Sequence, residues 1–475
     1  GEEVKMGSKA ESVSGGVPRF DPEGTVAIVG AGLAGLQAAR VLKDVVRNVV
    51  VVEASDCLGG RVKQVSGLVP WSLQLGPEFI HGSENSVLMK MVDNWGWKTR
   101  ELEWPDKYYF ADTKTSCSSE DETKEVERVH HFFEDILKVE GEDGASVKDA
   151  MAKAGASRKE IEIAEVCYAN DFGTSLDKMG IPELKREKLS WTYGEKYLIL
   201  DRPLSCLINN LAAGIDVRIK WQAKRIEYAS SIDKGTSLVT PRSKGIKRCS
   251  IVNQQGERLQ CDAVIVTVPL TILQDGDITF SPPLPLAKRG AISRIAMSTA
   301  VKVVLVFASR FWPESFWDAC CPYGFLPEIW ATKYDSPRSS DELAGRVAMV
   351  GFVCGDRAKR MAEMPEDEIV SSSLAQLDEM FGSRVEERPA SSAFLSYYIK
   401  NWSEEPFIRG AYSYPCKAKE GDRGLLRKSV GSLFFAGEAT HEGVNPCMQG
   451  ALETGQLAAQ DVLKTFQVGG NNLGK

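Results

Sequence analysis

The segment from Thr25 to Glu53 limits the fold more than any other stretch of the chain. Thr25-Val26-Ala27-Ile28-Val29 is a short apolar run, rich in β-branched residues, that suits a buried parallel strand. It runs into Gly30-Ala31-Gly32-Leu33-Ala34-Gly35, and a helical pattern follows through Leu36, Ala39, Val41 and Leu42. A second strand, Asn48 to Val52, ends at Glu53. Strand, glycine turn, helix, strand and acid within about thirty residues form a dinucleotide-binding unit. Gly30 suits the tight turn, Gly32 lets backbone approach a pyrophosphate, and Gly35 allows helix and sheet to pack closely. The helix N-terminus turns its amides toward phosphate. Glu53 stands where an acid accepts hydrogen bonds from the adenosine ribose.

Ala54-Ser55-Asp56-Cys57-Leu58-Gly59-Gly60-Arg61 follows directly. Gly59 and Gly60 can cradle a second phosphate face, with Arg61 as counter-charge. Near the other end, Ser432 to Glu438 reads as a strand entering a turn, and Met448 to Phe466 as a long helix. With 475 residues the chain exceeds one hydrophobic core. The predicted class is α/β, a dinucleotide-binding Rossmann-like domain interleaved with an α+β substrate-binding domain. Residues 25–82, 196–290 and 395–467 are assigned to the first, and 83–195 and 291–394 to the second. Helical patterns dominate 83–195, as in Glu125 to Val139 and Lys159 to Ala169. Strands are predicted at 217–221, 225–228, 263–268, 300–307 and 346–353, and a helix from Glu366 to Met380. Residues 1–24 read as a disordered arm and 468–475 as a loose tail.

Composition narrows the function. A net charge of −7 argues weakly against nucleic acid as the main partner; it would suit a cationic ligand, but solubility alone accounts for such a balance. Eleven cysteines without metal-like spacing, and four histidines in all, argue against a metal centre. The cysteines read as buried thiols in a reducing compartment, so a soluble intracellular protein is expected. No apolar run reaches the roughly 18 residues of a membrane span. The chain opens at Gly1, which leaves room for a removed targeting segment. The compartment and any protein partner stay open.

Taken together, the Gly30–Gly35 loop, the Gly59-Gly60-Arg61 motif and Phe435-Ala436-Gly437-Glu438-Ala439-Thr440 resemble the flavin-containing amine oxidase family. Its members include monoamine oxidases, polyamine oxidases and lysine-specific histone demethylases. The resemblance spans about Thr25 to Phe466 and implies bound FAD, with Glu438 near the ribityl–phosphate region. Met448 opens a helix whose positive end would face the flavin. Leu75-Gly76-Pro77-Glu78-Phe79-Ile80-His81-Gly82 resembles the segment passing beside the flavin, and its Ile-His-Gly ending is most similar to polyamine oxidases. Lys302 matches the family lysine that holds a water against flavin N5. Trp402 and Tyr412 match aromatic residues near the isoalloxazine. Members that attach flavin covalently carry a cysteine just before that tyrosine. Ala411 stands there, so the resemblance implies non-covalent FAD.

Catalytic roles are therefore expected for Lys302, Tyr412, Trp402 and His81, and substrate contacts for Glu78, Asp171 and Cys447. A lysine in an apolar strand also suits a sheet edge with its head in solvent, and Asp171 could simply end a helix. Cys447 replaces an aromatic facing the matched tyrosine, which leaves that cage half built. The implied reaction is hydride transfer from an amine, polyamine most of all, with dioxygen forming hydrogen peroxide. Two alternatives stand beside it. One is an L-amino acid oxidase, although Phe79 occupies the place near which that branch has an arginine. The other is a flavin-retaining assembly subunit with little turnover.

Overall fold

A computed structural model describes residues 24–102, 107–118, 123–140, 144–229, 248–332, 341–444 and 447–467. The expected arm (all but Gly24) and the tail lie outside the described residues. Thr25–Val29 sits at the centre of a five-stranded parallel sheet, in the order Asp216–Arg218, Asn48–Val52, Thr25–Val29, Ala263–Val266 and Leu433–Phe435. Successive residues of a strand face opposite ways. Val26 and Ile28 therefore pack with Leu36, Leu42, Leu452 and Val462 of the helices Leu33–Leu42 and Met448–Gln467. Ala27 and Val29 pack with Ile226 and Ile251 of a four-stranded sheet, Arg258–Cys261, Cys249–Asn253, Ala223–Tyr228 and Thr279–Ser281. Helix, parallel sheet and second sheet make three layers, an α/β fold with a Rossmann-like core.

A separate seven-stranded sheet runs Phe394–Asn401, Ala300–Phe307, Val347–Cys354, Glu328–Thr332, Asp318–Cys320, Lys107–Phe110 and Thr115–Ser118. Val303, Leu305 and Phe307 face the helices Gly355–Ala362 and Glu366–Phe381. Val304 and Val306 face Val69, Leu73 and Leu75 on the other side. Two details depart from the sequence reading. Phe394–Asn401 pairs with Ala300–Phe307, although residues from 395 on were grouped with the nucleotide segments. Residues 83–195 are not wholly helical. Thr99–Leu102 pairs with Tyr197–Leu200, and Lys107–Phe110 with Thr115–Ser118 form a hairpin on the large sheet. These strands are four residues each, too short to show a period.

The predicted 217–221 strand is shortened to Asp216–Arg218, because Lys220 takes a positive φ of 53° and turns the chain away. Glu125 to Val139 divides into the helix Lys124–Glu134 and a 3-10 turn, Ile136–Lys138. Arg158–Ala164 begins at a capping box of Ser157 and Glu160 and widens into the π-turn Glu165–Ala169. No helix among the described residues is long and apolar enough to cross a membrane.

Candidate functional site

A cavity of about 1150 Å³ runs from the glycine loop to the face of the seven-stranded sheet. At one end the first strand delivers Gly30 and Gly32 to its wall, and the loop after Asn48–Val52 delivers Gly59 and Gly60. A Cβ on Gly32 would meet no atom within 4 Å, so the N-terminus of the helix Leu33–Leu42 opens onto free space. Gly35 lies behind the wall, where a Cβ would stand 1.9 Å from the Gly30 carbonyl oxygen. Gly59 N–H donates to the Ala31 carbonyl at 2.9 Å, which locks the two glycine motifs together.

Glu53 is buried with its carboxylate fixed. Oε2 accepts from Ala31 N at 2.8 Å, and Oε1 accepts from the amide and hydroxyl of Ser55, each at 2.9 Å. Carboxylate oxygens have further lone pairs for ribose hydroxyls. The cradle therefore fits an adenosine diphosphate half: an open helix N-terminus, backbone amides and a pre-oriented acid.

Arg61 also lines the cavity. Its Nη1 donates to Glu438 Oε1 at 2.9 Å and to the Ala411 carbonyl at 2.8 Å. Glu438 accepts from the Ser413 hydroxyl at 2.6 Å, and Arg423 donates to the same hydroxyl at 2.9 Å. Arg423 is fully buried and forks onto Glu183 at 2.9 and 3.1 Å. Arg61, Glu438, Ser413, Arg423 and Glu183 thus form one chain of charge-assisted hydrogen bonds. The sequence reading named only Arg61 and Glu438; the other three had no motif to mark them.

The other end of the cavity holds the remaining candidates. Lys302 is buried on an inner strand of the sheet and not at an edge, so its head is out of solvent. Its Nζ donates to the carbonyls of Gln74 and Gly76 at 3.1 and 2.8 Å and lies 3.5 Å from Glu78. Burial pulls its pKa down, and Glu78 opposes that shift. Glu78 also accepts from Trp330 Nε1 at 3.0 Å. Trp402 is buried and donates from Nε1 to the Leu75 carbonyl at 3.0 Å. Tyr412 donates its hydroxyl to the Asp171 carbonyl at 3.0 Å, and burial raises its pKa.

Asp171 follows the π-turn, and its accessible side chain faces the cavity. Burial within the molecule and the nearby charge of Glu328 raise its pKa well above the usual carboxylate range. His81 packs edge-on against Tyr197, ring centroids 4.9 Å apart, and burial pushes its pKa down to about 4. Cys447 and Met448 complete the wall, and burial pushes the Cys447 thiol up to about 12. That thiol is neutral near pH 7, an apolar surface and not a nucleophile. Trp191, Tyr197 and Glu328, absent from the sequence reading, line the same space.

A model of the family described as flavin containing amine oxidoreductase matches residues 33–191 and 185–463. Mouse lysine-specific histone demethylase 1B is 25% identical over 481 residues, 94% of this chain and 54% of the demethylase, so the chain spans about half of that relative. Polyamine oxidase 2 of Arabidopsis thaliana is 25% identical over 467 residues, 92% of this chain and 87% of the relative. Among solved structures, cyclohexylamine oxidase from Brevibacterium oxydans superposes with a TM-score of 0.76 at 19% identity, covering 94% of this chain and all of that one. A putrescine oxidase bound to putrescine gives 0.75 at 19% identity, covering 93% and 99%.

Proposed function

The chain belongs to the flavin-containing amine oxidoreductases, and from that premise we propose that it oxidises a polyamine or a related amine with more than one positive charge. Bound FAD supplies the redox chemistry, accepting a hydride from the carbon beside the amine nitrogen and passing electrons to dioxygen to give hydrogen peroxide. The glycine loop, Glu53 and the helix opening at Met448 hold and polarise the cofactor. Lys302, tethered by two carbonyls and drawn toward Glu78, holds a water on the cavity side of its strand. Tyr412 and Trp402 form walls that align the reacting C–H bond. His81 is neutral near pH 7 and exchanges a hydrogen bond with the amine without repelling it.

The observation that carries the substrate class is Asp171, opening onto the same cavity as Lys302 and Tyr412. A distal cation can settle against this acid while the reacting nitrogen stays neutral. The test is flavin bleaching under nitrogen. A diamine is expected to reduce the flavin faster than a neutral-tailed monoamine of equal length, and Asp171→Asn to narrow the gap, by roughly tenfold for one lost charge-assisted bond. Equal rates in the wild type would return the pocket to a monoamine or amino acid substrate. Phe79 packs between Trp317 and Trp330 and offers a substrate carboxylate no counter-charge, which weighs against an amino acid. Cys447 in the wall supports one second reading, a flavin-retaining subunit that no amine bleaches.

A further inference from the structure

A histidine outside the cavity ties several parts of its wall together. His441 follows the 3-10 turn Glu438–Thr440, and its backbone N–H donates to the Glu438 carbonyl at 3.1 Å. Its ring Nδ1 accepts from two backbone amides, Val444 at 2.8 Å and Gly443 at 3.2 Å. A nitrogen that accepts carries no proton, so the ring proton sits on Nε2. Nε2 then donates to Glu453 Oε2 at 3.1 Å. The other oxygen of Glu453 accepts from the Tyr193 hydroxyl at 2.6 Å. Burial would raise the pKa of Glu453, but the hydrogen bonds from His441 and Tyr193 outweigh it and hold the carboxyl below its ordinary value.

His441 thereby grips the start of helix Met448–Gln467 at two points. The Val444 carbonyl seats against Gly450, where a Cβ would stand 2.8 Å from it. Glu453 stands in the second turn of the helix. Cys447, Met448 and Ala451, between these points, line the cavity. Tyr193 carries the tie to two further parts of the wall. It is buried and packs edge-on to Trp191, ring centroids 5.1 Å apart. It also presses on Gly82, where a Cβ would stand 2.4 Å from the Tyr193 Cβ. Trp191, Gly82 and His81 all line the cavity. Gln449 adds a parallel tie, its Nε2 donating to the His81 carbonyl at 2.5 Å.

Resting on the flavin amine oxidase reading, we propose that His441 and Glu453 are positioning residues: with Tyr193 they lock the Glu438 turn, the start of helix Met448–Gln467 and the Trp191 wall into one register. The helix end that faces the cofactor and the wall beside it then move as one body. The ring does this only with its proton on Nε2. The other tautomer would set N–H against N–H at Gly443 and Val444 and leave a bare nitrogen against the Glu453 carboxylate. Neither residue touches the cavity, so each acts on the cofactor only through the backbone it holds.

The experiment measures the midpoint potential of the flavin in the FAD-loaded protein against reference dyes, with no amine present. His441→Asn keeps an acceptor for the two amides but is too short to reach Glu453, and Tyr193→Phe loses only a hydroxyl. Both, and Glu453→Leu, are expected to lower the potential, because the positive end of the helix is no longer held at the cofactor. The double variant of His441→Asn with Tyr193→Phe should shift by less than the sum of the two, since both act through one carboxylate. Glu453→Gln offers a carbonyl to one neighbour and an amide to the other, and should recover most of the Glu453→Leu shift. Nitrogen NMR of histidine-labelled protein should show one ring, absent from His441→Asn, protonated on Nε2 alone. Unmoved potentials in the single variants, fully additive shifts in the double variant, no recovery in Glu453→Gln, or a proton on Nδ1 overturns the proposal. Flavin bleaching by a diamine is measured separately on the same samples. A wild type that no amine bleaches would sink the oxidase reading and leave the shifts standing. Normal bleaching with unmoved potentials would sink the positioning unit and leave the oxidase.

Discussion

Lys302 and Glu78 are both almost wholly buried, so each is worth most in the presence of the other. Replacing Lys302 by Met keeps much of the stem but leaves Glu78 buried without its cation, a loss of about 3–5 kcal/mol. Thermal unfolding is expected to show that loss, and Lys302→Met with Glu78→Gln should recover much of it. If the lysine also holds a water, stopped-flow traces of Lys302→Met will show slowed flavin turnover with FAD retained. Wild-type rates in both half-reactions would leave Lys302 a structural role alone. His81 behaves differently. Its folded pKa of about 4 lies below the ordinary 6.5, so the unfolded chain binds more protons between those values. Stability should therefore fall as pH drops from about 6.5 to about 4, on the order of 1 kcal/mol or more. His81→Gln is expected to flatten that part of the denaturant-midpoint profile; an unchanged slope would assign it to other groups. Lys302 and His81 could be singled out in the sequence because neighbours in the chain mark them. Glu328 could not, since its partner Asn170 is more than 150 residues away and only folding brings them together.

Helices Leu33–Leu42 and Met448–Gln467 pack together beneath the parallel sheet, with Gly455 against Ala34. A Cβ on Gly455 would stand 2.2 Å from the Ala34 carbonyl oxygen. Gly455→Ala must push the long helix away, at a cost of about 1–3 kcal/mol or more. Met448, the first residue of that helix, lines the cavity, so the same displacement should loosen flavin. Paired measurements of melting temperature and flavin released on gel filtration check this; a variant that melts lower yet keeps its flavin would uncouple the crossing from the cofactor end. The elements themselves were legible to different degrees. Ala300–Phe307 could be read residue by residue, because eight consecutive positions are buried on both faces and the run is β-branched. Lys107–Phe110 could not, because its hairpin with Thr115–Ser118 is only four residues a side and its place on the large sheet comes from Asp318–Cys320, some two hundred residues later. The helix Lys124–Glu134 was legible, but its end was not, since the chain tightens into a 3-10 turn without a glycine or proline stop.

At the scale of the molecule, cofactor and fold are expected to support each other without a covalent link. Ala411 precedes Tyr412, so acid precipitation is expected to leave the flavin in the supernatant and a colourless pellet; a yellow pellet would mean attachment through some other residue. Stripping flavin should lower the melting temperature, because a ligand at a thousand times its Kd adds about 4 kcal/mol. The parallel sheet has a consequence for the order of events during synthesis. Its centre, Thr25–Val29, emerges early, but its neighbour Ala263–Val266 and its edge Leu433–Phe435 come from much later in the chain. The helix Met448–Gln467, which packs beneath that centre, comes later still. On a ribosome adding about 5–20 residues per second, the glycine loop exists as sequence well before it exists as a cradle. Flavin capture therefore waits until Leu433–Phe435 and Met448–Gln467 have left the ribosome. A truncated chain ending before residue 433 should emerge unable to retain the cofactor, however intact its first sixty residues.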